Sequence, residues 1–120
     1  MTSILVVDDD SSITEMLQAF LEGEGYQVVI AHDGQEGLAC LKTSAVTLVL
    51  CDFMMPGLNG VQMCRTMQAH PEYQAIPFVL MSAFHATIDA TSCRFAALLA
   101  KPFDLDELLL LITRLSRLTF

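Results

Sequence analysis

The sequence predicts an α/β fold built on a parallel β-sheet. Five short apolar runs, several of them rich in Val, Ile and Leu without polar alternation, have the composition of strands that are covered on both faces. Segments of helical periodicity separate these runs, and this alternation of strand and helix is typical of α/β proteins. The predicted strands are Ile4 to Val7, Val28 to Ala31, Leu48 to Cys51, Phe78 to Met81 and Leu98 to Ala100.

Capping residues predict where the helices begin. Ser12 and Glu15 have the spacing of a capping box, and Gly23 predicts the end of the first helix. The second helix is expected to end near Leu41 and the last one near Ser116. At three further helix starts, Asp or Asn is followed three residues later by Glu or Gln. These pairs are Asp33 with Glu36, Asn59 with Gln62, and Asp104 with Glu107.

Apolar periodicity marks the buried faces of the first and last helices. In the first helix the expected face consists of Ile13, Met16, Leu17, Phe20 and Leu21. In the last helix it consists of Leu105, Leu108, Leu109, Ile112 and Leu115, with Phe103 and Leu108 spaced as a hydrophobic staple. The stretch from Ala86 to Cys93 contains mediocre helix formers, so any helix there should be short.

Composition and charge limit the classes of function. The 120 residues contain no repeat or flexible linker, so a single domain spanning residues 1–120 is expected. The net charge of −8 disfavours direct nucleic-acid contact. No apolar run reaches the ~18 residues that cross a bilayer, and the start of the chain lacks the basic residues of a signal peptide. A cytoplasmic protein without membrane association is therefore expected.

Cysteine and histidine spacing gives no sign of a metal site. The three histidines, His32, His70 and His85, share no ligand spacing and are interpreted as structurally neutral. The four cysteines have no CxxC spacing and are expected to be reduced thiols that pack as small hydrophobic side chains. They are Cys40, Cys51, Cys64 and Cys93.

Polar residues mark the carboxyl ends of four predicted strands. Asp8 and Asp9 follow the first strand, Asp52 the third, Ser82 the fourth and Lys101 the fifth. In an open parallel sheet, ligands bind in the crevice at this edge. If the first and third strands are neighbours, the three carboxylates converge. Taken singly, an acid at a helix entry, a surface lysine and a polar strand end are ordinary features, so the inference depends on their joint placement.

Converging carboxylates repel one another and favour a hard divalent cation, of which Mg²⁺ suits all-oxygen ligation with few protein carboxylates. A carboxylate beside such a cation can act as a nucleophile toward a phosphoryl group, with an ammonium and a hydroxyl donor sharing the charge that is transferred. Asp52, Lys101 and Ser82 have the chemistry for these three roles.

Four segments in order resemble the response-regulator receiver domains. They are Ile4 to Asp9, Asp52 to Gly57 with Gly60 following, Ser82-Ala83, and Lys101-Pro102-Phe103. The resemblance implies a doubly wound five-stranded parallel sheet in the flavodoxin-like order 2-1-3-4-5, with helices on both faces. It also implies a cis Lys101-Pro102 bond.

The resemblance further implies phosphorelay signalling. Asp52 would accept a phosphoryl group from a histidine kinase or a phosphotransfer protein, and Ser82 and Lys101 would contact that group. Asp9, Asp52 and the backbone carbonyl of Met54 would bind Mg²⁺ directly, and Asp8 would join through water. The domain would not be an enzyme except toward its own phosphorylation and dephosphorylation. Its output would be a surface for a downstream protein or a fused effector domain.

The sequence departs from the family pattern on the side that relays phosphorylation. Leu98 stands where an aromatic residue is usual, and the stretch from Ser82 to Lys101 is shorter than usual. The relay is therefore expected to act through the Ser82 loop and the segment Phe84 to Cys93.

Two other classes share parts of this pattern. An aspartate-nucleophile phosphatase would carry Asp-x-Asp after the first strand and usually a cap domain, whereas this chain has adjacent acids. A flavin-binding module would need a hydroxyl-rich phosphate loop where Asp8, Asp9 and Asp10 stand, and these acids would repel the phosphate.

Overall fold

Five parallel strands form the central sheet of the computed structural model, which describes residues 2–83 and 93–117. The strand order is β2-β1-β3-β4-β5, as the resemblance implied. The stretch from Ala86 to Cys93, where a short helix was predicted, lies outside the described residues except for Cys93. The strands are β1 (Ser3–Val7), β2 (Gln27–Ala31), β3 (Leu48–Asp52), β4 (Phe78–Ser82) and β5 (Ala97–Ala100).

The register of the sheet brings the strand ends to one edge. Val7 of β1 pairs with Cys51 of β3, and Ser82 of β4 pairs with Ala100 of β5. Asp52 and Ser82 are themselves the last residues of their strands, rather than the first residues beyond them as the apolar runs suggested. Both side chains are therefore held by sheet hydrogen bonding at their backbones.

Among the described residues, three α-helices and one short 3-10 helix lie between the strands, and a fourth α-helix follows β5. The 3-10 helix covers Pro71–Tyr73. The predicted caps of α2 and α3 are confirmed, because Asp33 accepts a hydrogen bond from the Glu36 amide and Asn59 forms a capping box with Gln62. The α-helices are α1 (Ser11–Gly23), α2 (Gly34–Thr43), α3 (Gly60–Gln68) and α4 (Leu105–Arg117).

The predicted cap of α1 is wrong. The N-cap is Asp10, whose side chain accepts a hydrogen bond from the Ser12 amide at 3.0 Å, and the helix begins at Ser11. Asp and Ser are nearly equal as caps, so local preference does not separate them. The strand fixes where the backbone leaves the extended conformation, and Asp10 stands at that point.

The two faces of the sheet bury two separate apolar cores. Side chains alternate along a strand, so Leu5 and Val7 point to one face while Ile4 and Val6 point to the other. One core packs against α2 and α3, and the other packs against α1 and α4. Covering both faces explains why the strands show no polar alternation.

The predicted helix faces are confirmed only in part. In α1, Leu17 and Leu21 are fully buried, but Met16 is 38% exposed and Thr14 takes a buried position. The Thr14 hydroxyl donates to the Ser11 carbonyl at 3.1 Å, which satisfies it without a partner outside the helix. In α4 the buried residues are Leu108, Ile112 and Leu115.

Two of the four cysteines are joined, contrary to the expectation of reduced thiols. Cys64 in α3 and Cys93, which precedes β5, form a disulfide with a Cα–Cα distance of 6.5 Å. Cys40 and Cys51 are free thiols. No CxxC spacing signals the pair, because its members lie 29 residues apart and meet only through the fold.

Within residues 2–83 and 93–117, none of the helices has the length and apolar character needed to cross a membrane.

Gly60 is a position where the fold has no room for a side chain. A Cβ there would lie 2.6 Å from the carbonyl oxygen of Asp52 and 2.5 Å from the Leu80 side chain. Gly60→Ala is therefore expected to lower the free energy of unfolding by about 1–3 kcal/mol, because the backbone of β3 must shift. Urea denaturation measures the change.

Gly23→Ala is the matched control, since a Cβ at Gly23 meets no atom within 4 Å. This variant should be neutral or slightly stabilising, as expected for Ala over Gly in a helix. Equal stability of the two variants would contradict the predicted steric overlap of a Cβ at position 60 with Asp52 and Leu80.

Candidate functional site

Three carboxylates meet at the carboxyl edge of the sheet, as the sequence predicted. Asp8 follows β1, Asp52 ends β3, and the two strands are neighbours. One carboxylate oxygen each from Asp8, Asp9 and Asp52 lies within 4.8 Å of the others. Asp8 and Asp52 are buried, whereas Asp9 is exposed. The cluster is therefore open to solvent on the Asp9 side.

Asp8 is fixed on two sides. Its side chain is 1% exposed, its Oδ1 accepts a hydrogen bond from the Asp10 amide at 3.0 Å, and its Oδ2 accepts one from the Lys101 ammonium at 3.0 Å. A buried carboxylate is stable only when it is paired and hydrogen-bonded. Asp8 is consequently held in one orientation at the site.

Lys101 follows the edge strand β5, and its side chain pairs with acids at the carboxyl ends of β3 and β1. Its Nζ lies 2.7 Å from Asp52 Oδ1 and 3.0 Å from Asp8 Oδ2. Its backbone amide donates to the Ser82 carbonyl at 2.9 Å, which continues the β4–β5 pairing to the site. The bond from Lys101 to Pro102 is cis, which confirms that expectation.

The charges at the site shift two pKa values. Burial raises the pKa of Asp52, the hydrogen bond from Lys101 opposes this shift, and the negative charges of Asp8 and Asp9 add to it. Burial lowers the pKa of Lys101, but its hydrogen bonds to Asp52 and Asp8 outweigh that effect and the net pKa is raised. Lys101 therefore stays an ammonium, which favours the ionised carboxylate beside it.

Among the described residues, the cluster sets one ammonium against three carboxylates. The remaining negative charge lies where Asp9 opens to solvent. All the available donors are oxygen atoms, which fits a hard cation such as Mg²⁺ and suits soft metals poorly.

The loop after Asp52 is held at both ends. The Phe53 amide donates to the Met81 carbonyl at 2.9 Å, and the Gly60 amide donates to the Phe53 carbonyl at 3.1 Å. Gly57 has a φ of 73°, a left-handed conformation that favours glycine. The Met54 side chain is 58% exposed. Met54 is the second residue after Asp52 in this loop.

Ser82 lies at the same edge, between Asp52 and Lys101 in strand order. Its side chain is buried at the end of β4, the strand that separates β3 from β5. The sheet thus brings together Asp8, Asp9, Asp52, Ser82 and Lys101, all of which the sequence predicted for the site.

Asp10 is the residue that the sequence argument missed. Its amide orients Asp8, and its carboxylate accepts from the Ser12 hydroxyl at 2.6 Å and from the Ser12 amide. The Ser12 side chain and amide lower the pKa of Asp10. The Asp-x-Ser spacing at the start of an amphipathic segment is the signal that could have identified this cap.

The fold and the site together define a doubly wound α/β protein with an acidic pocket and a paired lysine at the carboxyl edge of its sheet. A family profile described as the response regulator receiver domain matches residues 4–113. The chain belongs to this family and is a receiver domain of two-component signalling.

Individual relatives agree with this assignment. The chain is 41% identical over 86 residues to the DNA-binding response regulator MtrA of Mycolicibacterium paratuberculosis, a match that covers 72% of this chain and 37% of that protein. It is 33% identical over 120 residues to the response regulator ArlR of Staphylococcus saprophyticus, covering 98% and 53%. The chain thus spans between one third and about half the length of these curated relatives.

A solved structure shares the fold. The response regulator TrrA of Thermotoga maritima, in complex with Mg(2+)-BeF, superposes with a TM-score of 0.83 at 28% identity, covering 96% of this chain and 99% of that one.

The role of Lys101 in holding the site together can be tested with Lys101→Met. Removing the ammonium leaves Asp8 and Asp52 buried beside each other without the cation that pairs with both. The free energy of unfolding without divalent cations is expected to fall by about 2 kcal/mol, less than for a fully buried pair because 21% of the Lys101 side chain is exposed.

Lys42→Met, in the exposed last turn of α2, is the control and should change stability by less than about 0.5 kcal/mol. Chemical denaturation in a chelator at low ionic strength measures both variants. Similar losses in the two variants would refute the structural role of the Lys101 pairs.

Proposed function

We propose that this chain is a phosphorylation-dependent switch in which Asp52 is the phosphoryl acceptor. The observation that supports this role most directly is the position of its carboxylate. One oxygen of Asp52 lies 2.7 Å from the Lys101 ammonium, and an oxygen of Asp52 lies within 4.8 Å of oxygens of Asp8 and Asp9. An ionised carboxylate between an ammonium and a cation site is the arrangement that an aspartyl nucleophile requires.

In this reaction an oxygen of Asp52 attacks the phosphorus of a phosphohistidine on the donor protein. The new P–O bond forms as the P–N bond breaks, and the histidine leaves with the electron pair of that bond. Lys101 is held by Asp8 as well as Asp52, so it can turn toward the phosphoryl oxygens while keeping one partner. Ser82 at the end of β4 is proposed to donate a hydrogen bond to the same oxygens.

The acidic cluster is proposed to bind Mg²⁺. Asp9, Asp52 and the Met54 carbonyl would be the direct ligands, and Asp8 would act through water. When bound, the cation neutralises negative charge on the phosphoryl group during transfer. The complex of the TrrA receiver with Mg(2+)-BeF supports this choice of metal.

The partners follow from the proposed chemistry. A histidine kinase or a phosphotransfer protein would supply the phosphoryl group, and a downstream protein or a fused effector domain would receive the signal. We propose that residues 1–120 form one receiver domain. Its net charge of −8 disfavours contact with DNA, so any DNA binding like that named for MtrA would belong to another part of the protein.

The same residues are proposed to catalyse both the phosphorylation and the dephosphorylation of Asp52, with no other substrate. The cytoplasmic location expected from the sequence stays a prediction.

Asp52→Asn tests the acceptor directly. The amide is a poor nucleophile, so the variant should gain no phosphoryl group when it is incubated with acetyl phosphate and Mg²⁺, whereas the unmodified chain gains one. Intact-protein mass spectrometry measures the product, and its cleavage by hydroxylamine identifies an aspartyl phosphate, which is an acyl phosphate.

Asp10→Asn is the matched control, since Asp10 caps α1 and is not one of the three clustered acids. This variant should still be phosphorylated. If the Asp52→Asn protein gained one phosphoryl group per chain, Asp52 would not be the acceptor.

Mg²⁺ binding should stabilise the domain. At a free Mg²⁺ concentration of ten times Kd, the stabilisation is about 1.4 kcal/mol, which is roughly 5 °C in Tm for a domain of this size. The dissociation constant is expected in the millimolar to submillimolar range, because Mg²⁺ gives up its waters reluctantly. Thermal denaturation across a Mg²⁺ titration measures both quantities.

Asp9→Asn should abolish most of this shift, and it should leave stability in a chelator unchanged or higher because one repelling charge is removed. Asp10→Asn again serves as the control. The cation site would be rejected if Mg²⁺ left the Tm of the unmodified chain unchanged. It would also be rejected if Mg²⁺ raised the Tm of the Asp9→Asn variant as much as that of the unmodified chain.

A further inference from the structure

The Cys64–Cys93 disulfide lies between two parts of the molecule that the proposed phosphoryl transfer uses. Cys64 is one turn inside α3, the helix that begins where the loop after Asp52 ends. Cys93 stands shortly before β5, the strand that leads to Lys101. The stretch enclosed by the bond contains β4 and Ser82.

The same helix also holds the residue next to Cys93. Gln68 lies one helical turn after Cys64, so both side chains are on one face of α3. Its Nε2 donates to the Arg94 carbonyl at 2.8 Å, and its Oε1 accepts from the Arg94 amide at 3.3 Å. These two bonds do not depend on the disulfide, and they would keep the two sulfur atoms adjacent after reduction.

Two thiols that stay adjacent can reoxidise without a search through the unfolded chain, which is the property of a reversible pair. The other two cysteines are poorly placed for this chemistry. Cys51 is completely buried, and burial raises its pKa well above the usual thiol range. Cys40 is half-buried on α2, and burial likewise raises its pKa.

We propose that Cys64 and Cys93 form a reversible dithiol–disulfide site that regulates the phosphoryl transfer described above, with oxidation slowing transfer to Asp52. The inference rests on that proposed function. In a reducing compartment, the disulfides that form are usually transient or redox-sensing rather than structural, which is consistent with such a role.

The oxidant is a low-molecular-weight disulfide. Cys93 is 8% exposed and Cys64 is fully buried, so the Cys93 thiolate attacks one sulfur of the small disulfide and releases one small thiolate. Cys64 then loses its proton, attacks the Cys93 sulfur and releases the second thiolate. Two protein thiols are oxidised, one small disulfide is reduced, and the two protons end on the two small thiols.

Oxidation affects the site through Cys93, which lies between Ser82 and Lys101 in the sequence. Ser82 and Lys101 must approach the incoming phosphoryl oxygens, and the chain that joins them passes through Cys93. With Cys93 bonded to α3, the short segment from Cys93 to β5 has less freedom to adjust, so the conformation that accepts the phosphoryl group becomes harder to reach.

The pair itself is tested by incubating the protein with mixtures of glutathione and glutathione disulfide, followed by alkylation under denaturing conditions, which expose the buried Cys51, and by intact-mass measurement. The oxidised chain should lose about 2 Da, since two hydrogen atoms leave, and two cysteines should resist alkylation. Cys64→Ser should not show this change, whereas Cys40→Ser should show it in full. Retention of the change in Cys64→Ser, or its absence in the unmodified chain, would overturn the site.

Gln68→Ala probes the positioning of Cys93. Loss of the two bonds to Arg94 should slow formation of the disulfide and should shift its equilibrium toward the thiols. Gln74→Ala is the control, because the Gln74 amide contacts the Gln68 carbonyl and not Arg94. Equal redox equilibria in these two variants would refute the proposal that Gln68 positions Cys93 through its bonds to Arg94.

The regulatory role is tested by the rate of Asp52 phosphorylation from acetyl phosphate with Mg²⁺. Oxidised protein should react about fivefold more slowly than reduced protein, a ratio at the low end of measured couplings between sites. Cys64→Ser and Cys93→Ser should react at the reduced rate under both conditions. Equal rates in the two forms would reject regulation alone, whereas no phosphorylation of either form would reject the proposed function together with it.

Discussion

Two hydrogen bonds from the Lys101 ammonium hold together the carboxyl ends of three strands. Lys101 follows β5 at one edge of the sheet, yet its partners are Asp52 at the end of β3 and Asp8 after β1. The side chain must therefore pass over the end of β4. Neighbouring strands are about 4.8 Å apart, so only a long side chain can bridge this distance. A small residue at the end of β4, here Ser82, leaves room for it.

This arrangement combines stability and reactivity in the same contacts. Buried carboxylates are costly unless they are paired, and pairing with Lys101 keeps Asp52 ionised despite the burial that raises its pKa. Because one ammonium serves two buried acids while Asp9 remains at the solvent-facing side, the pairing is incomplete. The charge left over favours a cation beside these carboxylates.

The sequence predicted the sheet well because each strand is apolar on both faces, and it predicted the site because parallel strands end at one edge. Asp8, Asp9, Asp52, Ser82 and Lys101 all follow from that rule. Local competition limited the rest. Asp10 and Ser12 are nearly equal caps, and only the end of β1 decides between them. Met16 belongs to the apolar pattern of α1 but lies at its edge, where burial depends on the neighbouring elements.

Pairing between distant residues was beyond sequence reasoning. Cys64 and Cys93 approach each other because α3 packs on the sheet near the entrance to β5, a relation that spacing alone does not express. The Met54 carbonyl, which we propose as a ligand, poses a similar problem, since the path of the loop defines a backbone ligand and any residue type can supply it. The length of that loop and the left-handed Gly57 are the only local signs of its course.

The three consecutive aspartates after β1 have identical side chains and three different environments. Asp8 is buried and paired with Lys101, Asp9 is the exposed member of the acidic cluster, and Asp10 is the cap of α1. Position along the backbone, not chemistry, assigns each one. An insertion or deletion of a single residue here would preserve the acidic composition while moving every carboxylate into the environment of its neighbour. The number of residues between the strand and the helix is thus as strictly constrained as their identity.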